Sequence, residues 1–143
     1  FREKERPVLL NSWEGMYFAI SEEKMLELAD TAVEAGIELL VMDDGWFRGR
    51  NSDTTSLGDW IEDQEKFPEG LQKLAEKVRE KGVEFGIWFE PEMVSPESEL
   101  YKKHPDWVIR SKRYRRFEVG ISLFWILQIQ KCVNYLIEAL SKI

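Results

Sequence analysis

Residues 39–47 read Leu39-Leu40-Val41-Met42-Asp43-Asp44-Gly45-Trp46-Phe47, an apolar run that stops abruptly at two adjacent carboxylates, a glycine and two aromatics. Leu39 to Met42 has the length and composition of a buried strand bounded by turn residues. A carboxylate is costly to bury unless it is paired or hydrogen-bonded, so Asp43 and Asp44 are expected to surface where the strand ends. There they meet Trp46, expected to present an open apolar face. Acids beside an exposed aromatic at a strand tip suit a sugar pocket: the carboxylates accept from hydroxyls, and the ring stacks on the C–H face of a pyranose. The same residues would equally serve as a capped turn closing a strand before a loop.

Working outward, the pattern repeats. Pro7 to Trp13 reads as a short strand running into Asn11 and Trp13. Ser21 is placed as a helix cap with Glu22 and Glu23 in the first turn. Met25, Leu28, Ala29 and Ala32 follow at helical spacing, and Gly36 is placed to stop the helix. Ile37 to Met42 is the next strand. A long loop from Phe47 to Lys66 carries Leu57-Gly58-Asp59-Trp60. Phe67 to Leu71 opens a second helix with Leu71, Leu74, Ala75 and Val78 on one face and Gly82 past its end. Val83 to Phe89 is a third strand, again running into acids at Trp88-Phe89-Glu90-Pro91-Glu92. Strand, helix, strand, helix, strand predicts parallel β/α units. Chemistry at the C-terminal end of each strand favours a β/α barrel. An open doubly wound sheet would also bind there, but no glycine-rich phosphate loop follows the first strand.

Composition narrows the classes. A chain of 143 residues is long enough for one domain with a core, and 43% hydrophobic with 33% charged residues describes a soluble globular protein. No apolar run approaches the roughly 20 residues of a membrane span. The charged start, Phe1-Arg2-Glu3-Lys4-Glu5-Arg6, is no signal peptide. It also lacks an initiator Met, which places the true N-terminus upstream; a cytoplasmic location is the expectation. A net charge of −7 argues against a nucleic-acid partner, whose phosphates must be neutralised. The basic run Arg110 to Arg116 reads as a solvated loop. Cys132 has no second cysteine for a disulfide, and His104 alone cannot build a common zinc site. Neither metal nor cofactor is expected.

At this point the chain resembles the α-galactosidases of glycoside hydrolase family 36. The resemblance rests on residues 7–14 (Pro-Val-Leu-Leu-Asn-Ser-Trp-Glu), 43–47 (Asp-Asp-Gly-Trp-Phe), 56–60 (Ser-Leu-Gly-Asp-Trp), 85–94 (Phe-Gly-Ile-Trp-Phe-Glu-Pro-Glu-Met-Val) and 104–108 (His-Pro-Asp-Trp-Val). Each motif alone is weak; in this order and spacing they are specific. The resemblance covers roughly residues 5–110 and returns at Val133 to Ile143. It implies an α/β fold of the (β/α)8 TIM-barrel type, with residues 1–143 a partial catalytic domain of about the first four β/α units. By that resemblance Asp43 and Asp44 grip the 4- and 6-hydroxyls of a terminal α-galactose, and Trp13 and Trp88 wall the sugar. Trp46, Asp59, Trp60 and Glu90 are further candidates for substrate contact, while Glu90 and Glu92 would also serve as loop anchors around Pro91. His104 is expected at a helix end, with Pro105 starting the turn.

A retaining glycosidase needs a nucleophile and an acid/base about 5–5.5 Å apart. The family's Lys-Trp-Asp-Met-Asn-Arg nucleophile strand has no counterpart here, and the acid/base lies further downstream in the family. Asp43 and Asp44 cannot substitute, because neighbours on an extended strand point to opposite faces. No residue of this chain is therefore expected to be catalytic, and the chain alone is expected to be inactive. Residues 111–132 depart from the family, which expects Gly-Arg-Asn-Gln and then Val-Leu-Asp-Leu. Read with each codon starting at the third base of the one before, residues 118–131 can encode Gly-Arg-Asn-Gln-Phe-Val-Leu-Asp-Leu-Ala-Asn-Pro-Lys-Val. The adjacent Trp125 and Ile126 codons force the Asp. A frame slip beginning within 110–118 and corrected near Cys132 is thus expected; the alternative is a diverged helix from Ile121 to Ile143. The expectation is a parent that hydrolyses α-galactosides such as melibiose or raffinose. Alternatives are a non-catalytic galactose-binding or interaction fragment, or a parent that transfers galactose as raffinose synthases do. Half a barrel would leave strand edges open, which predicts self-association.

Overall fold

The computed structural model describes residues 5–109, 118–119, 122–124 and 130–141. Two compact units divide the chain: residues 1–46 with 63–89, and residues 47–62 with 90–143.

The first unit contains β1 (Leu9–Asn11), α1 (Trp13–Met16), α2 (Glu22–Glu34), β2 (Leu39–Met42), α3 (Leu71–Glu80) and β3 (Glu84–Ile87). The three strands are parallel in the order β1-β2-β3, with Leu40 registered between Leu10 and Phe85. β2 is therefore central. Its side chains alternate: Leu40 and Met42 are fully buried, whereas Leu39 and Val41 are half-buried, the period of two that a strand imposes.

Local signals explain the helices. Ser21 is extended, and its Oγ accepts from the Lys24 amide at 3.4 Å, capping α2. Met25, Ala29 and Ala32 form its buried stripe. The chain then leaves α2 through Gly36 at a φ of 71°, a left-handed position that glycine adopts without strain. α3 begins at Leu71 rather than Phe67; Phe67 to Gly70 form a turn in which the Gly70 amide donates to the Phe67 carbonyl at 3.0 Å. Leu71, Leu74, Ala75 and Val78 are buried as the spacing predicts. Lys77 Nζ joins α3 to α2, reaching Glu22 at 2.6 Å and Glu69 at 2.8 Å. Solvent screens ion pairs this open to water, so they add little, whereas burying one leucine contributes about 1.5–3 kcal/mol. Packing of the apolar stripe, not the ion pairs, holds α3 in place.

The second unit contains β4 (Met93–Val94), α4 (Glu99–Lys103), a 3-10 turn (Pro105–Trp107), β5 (Glu118–Val119), β6 (Ser122–Phe124) and α5 (Gln130–Leu140). Its sheet is antiparallel in the order β4-β6-β5. Val94, Leu100, Trp107, Val108 and Cys132 form its core, with Tyr101 and Tyr135 packed against it. Burial pushes the Cys132 thiol pKa up, and Asp106 adds to the rise. As expected, His104 ends α4 and Pro105 opens the turn. The alternative of one helix from Ile121 to Ile143 is corrected. Residues 122–124 are a strand, hydrogen-bonded to Met93–Val94 on one side and Glu118–Val119 on the other. Pairing on both sides overrides a helical reading of the apolar spacing. Among the described residues the helix spans Gln130–Leu140, with Leu136 buried and Ile137 exposed.

Among the described residues the parallel sheet has three strands. The anomalous interval 111–132 lies mostly outside the described residues, as do Ile121, Trp125, Leu127 and Ile129. No helix among the described residues is long and apolar enough to cross a membrane.

Candidate functional site

The tip of β2 is built from three neighbouring strand ends. The Ser12 amide donates to the Val41 carbonyl at 3.0 Å, and the Trp88 amide donates to the Met42 carbonyl at 2.9 Å. These bonds carry the sheet pairing one residue past the last strand positions on both sides. Asp43 is then held from two directions: its amide donates to Ser12 Oγ at 3.0 Å, and its Oδ2 accepts from Asn11 Nδ2 at 2.6 Å. Asn11 in turn takes the Trp13 amide on its Oδ1 at 2.7 Å, which fixes the amide orientation so that its NH2 faces the acid. Asp43 Oδ1 accepts from the Asp44 amide, and Asp44 Oδ1 from the Gly45 amide, both at 2.7 Å. Two successive side chain-to-backbone bonds of this type close a tight polar turn.

Exposure separates the two acids. Asp43 is half-buried, while Asp44 is 6% exposed. Gly45 sits at a φ of 103°, and a Cβ there would meet Ile20 Cγ2 at 3.0 Å and Phe18 Cα at 3.1 Å. The position requires glycine on both counts. The left-handed turn sends the next residue back into the protein, which corrects the expectation for Trp46: its ring is fully buried, not an open stacking face. Its Nε1 donates to the Trp88 carbonyl at 3.0 Å, and its edge meets Phe89 with centroids 5.2 Å apart. Trp46 thereby anchors the backbone of Trp88.

Trp13 and Trp88 are both half-buried. Trp13 is not a strand-end residue; it begins α1 and lies edge-on to Tyr17 and Phe18, each 5.1 Å away. Asn11, Asp43 and Asp44 thus share one strand tip, with Trp13 and Trp88 next in the chain to the flanking strands. Such a tip offers carboxylate acceptors in fixed directions with aromatic surface nearby. As carboxylates both acids are acceptors only, which serves hydroxyl recognition and supplies no proton donor.

The second unit uses its candidates differently. Each oxygen of Asp59 accepts a backbone amide from the first turn of α4: Oδ2 from Glu99 at 2.8 Å and Oδ1 from Leu100 at 3.0 Å. Ser98 Oγ takes the Tyr101 amide at 3.0 Å. Together they satisfy three donors that the helix cannot satisfy itself. Trp60 is 3% exposed and packs on Phe47 at 4.8 Å. Glu90 is half-buried, and its carbonyl accepts from the Met93 amide at 3.2 Å. Tyr135 donates its hydroxyl to the Gly58 carbonyl at 3.1 Å; burial, with Asp59 and Glu138 adding, pushes its pKa up to about 12. Among the described residues no group of three acids, histidines or cysteines is placed to hold a metal ion.

The sequence model of melibiase matches residues 1–143. The chain belongs to the melibiase family. The α-galactosidase AgaA of Geobacillus stearothermophilus is 50% identical over 143 residues, all of this chain and 20% of that protein. The crystal structure of the family 36 α-galactosidase AgaB from the same organism superposes with a TM-score of 0.93 at 49% identity, covering 99% of this chain and 20% of that one. A variant of AgaA solved in complex with raffinose matches at a TM-score of 0.92 and 49% identity, with the same coverage. The chain therefore spans about a fifth of the length of these relatives.

Within this chain, sequence reasoning missed two residues at or against the strand tip. Ser12 is 2% exposed and takes the Asp43 amide, yet a serine after a strand carries no signal of its own. Lys66 reaches the Gly45 carbonyl at 2.8 Å and the Phe18 carbonyl at 3.3 Å from 21 and 48 residues away. No short-range pattern could have announced it.

Proposed function

We propose that residues 1–143 form part of the catalytic (β/α)8 barrel of a retaining α-galactosidase, about its first four β/α units, and that they supply its galactose-gripping acids. The reading is carried by one observation: two adjacent carboxylates held in fixed directions at the tip of the central strand, in a chain of the melibiase family. Asp43 and Asp44 accept from the 4- and 6-hydroxyls, with Trp13 and Trp88 against the ring. An axial 4-hydroxyl completes the polar site; its equatorial epimer leaves a partly buried acceptor unmatched, and sites of this kind reject the wrong partner strongly. The substrate class is a terminal α-galactoside, such as raffinose. The chain by itself carries no nucleophile or acid/base and releases no galactose.

The test is a titration of the chain with galactose and with glucose, read by tryptophan fluorescence, alongside an assay of galactose release from raffinose. Saturable binding of galactose, weaker binding of glucose by roughly tenfold or more and no released sugar are the expected results. Equal affinity for both sugars, or none for either, would overturn the assignment of these acids.

A further inference from the structure

Lys66 has a half-buried side chain, and its ammonium points at the backbone of the acidic turn. Its Nζ donates to the Gly45 carbonyl at 2.8 Å and to the Phe18 carbonyl at 3.3 Å. Phe18 is also the segment against which Gly45 packs so closely that a Cβ would not fit. One cation therefore ties together the two backbone segments whose contact defines the turn. Its own main chain is fixed as well: the Lys66 amide donates to Asp63 at 3.1 Å, and its carbonyl accepts from the Glu22 amide at 3.0 Å, at the start of α2. Resting on the function proposed above, we infer that Lys66 is a positioning residue for galactose, acting through Asp44 by clamping the Asp43–Asp44–Gly45 turn.

Two features support this beyond the distances. Desolvation draws the Lys66 pKa below its ordinary 10.5, opposed by the charges of Asp63 and Asp44. Keeping a lysine where burial penalises its charge requires compensating partners, and the carbonyls of Gly45 and Phe18 with those two acids provide them. Lys66 also lines a shallow surface groove, whose other charged groups are Glu22, Glu23 and Glu65. The side chain of Lys66 thus couples the electrostatics of Asp44 to the geometry of the turn that presents it.

The experiment compares the wild-type chain with Lys66→Met and Lys66→Arg in two measurements. In the absence of sugar, amide shifts of Asp44 and Gly45 are expected to move in Lys66→Met and to return toward wild type in Lys66→Arg, with unchanged far-UV circular dichroism in both. In galactose titrations, Lys66→Met is expected to bind roughly tenfold more weakly at neutral pH, with Lys66→Arg recovering most of the loss. Wild-type affinity should fall as alkaline pH removes the ammonium proton, at a lower pH than an ordinary lysine requires. That alkaline fall should be absent in Lys66→Met. Unmoved Asp44 and Gly45 shifts in Lys66→Met overturn the inference whether or not the chain binds sugar. Moved shifts with wild-type galactose affinity overturn the positioning role alone. No galactose binding by the wild type, with moved shifts, counts against the proposed function while leaving the clamp supported.

Discussion

The Asp43-Asp44-Gly45-Trp46 turn and the Leu57-Gly58-Asp59-Trp60 loop are made of the same residue types, yet they differ in what their acids hold. Asp43 takes one bond from the side-chain amide of Asn11 and one from its own neighbour's backbone. Those bonds orient a half-buried carboxylate whose backbone partner is its own neighbour within the same turn. Asp59 takes two amides that begin a helix 40 and 41 residues further along. Without Asp59 two amides of another element lose their partner; without Asp43 one adjacent amide does, while the exposed Asn11 amide can turn to solvent. An acid near a glycine and a tryptophan therefore braces its own turn in one place and caps a distant helix in the other. The partners of its oxygens decide which, and residue type does not.

The comparison is broken most severely at Gly45. Gly45→Ala combines a left-handed φ with contacts near 3.0 Å to Ile20 and Phe18. A loss of about 2–4 kcal/mol in unfolding free energy is expected, read by urea denaturation, and galactose binding should disappear with the turn. A stable Gly45→Ala chain that still binds galactose would mean that the turn geometry is not what presents the acids.

A smaller effect sharpens the same contrast. Trp88 is half-buried, and its backbone is engaged by Trp46 and Met42. Trp88→Ala is expected to weaken galactose binding by about 0.5–1.5 kcal/mol, the scale of aromatic stacking, with the backbone bonds of the strand tip retained. Unchanged affinity in isothermal titration would remove the ring from the sugar site and leave recognition to the carboxylates.

What was legible in the sequence is what is local. The Leu39–Met42 strand, the Ser21 cap three residues from the amide it receives, and the buried face of Leu71, Leu74, Ala75 and Val78 all follow from spacing within one element. So does the parallel order, because strands alternating with helices leave few other arrangements. What was not legible depends on distant partners. That Asp59 receives two amides of α4 depends on residues 40 and 41 positions away. Trp46 looks exposed until the left-handed Gly45 turns it toward Phe89 and the Trp88 carbonyl. Lys66 carries no signal at all until its ammonium is seen on Gly45. The strand Ser122–Phe124 was hidden for the same reason: its identity comes from pairing with Met93–Val94, not from its own apolar spacing.

The most direct measurement sets Asp43→Asn beside Asp59→Asn, each titrated with galactose and each unfolded in urea. Asp43→Asn is expected to lose galactose binding with its unfolding midpoint close to wild type. Asp59→Asn is expected to keep its affinity and to lose about 1–2 kcal/mol of stability, the scale of a lost helix cap. The opposite pattern, with galactose binding lost in Asp59→Asn and retained in Asp43→Asn, would contradict the account.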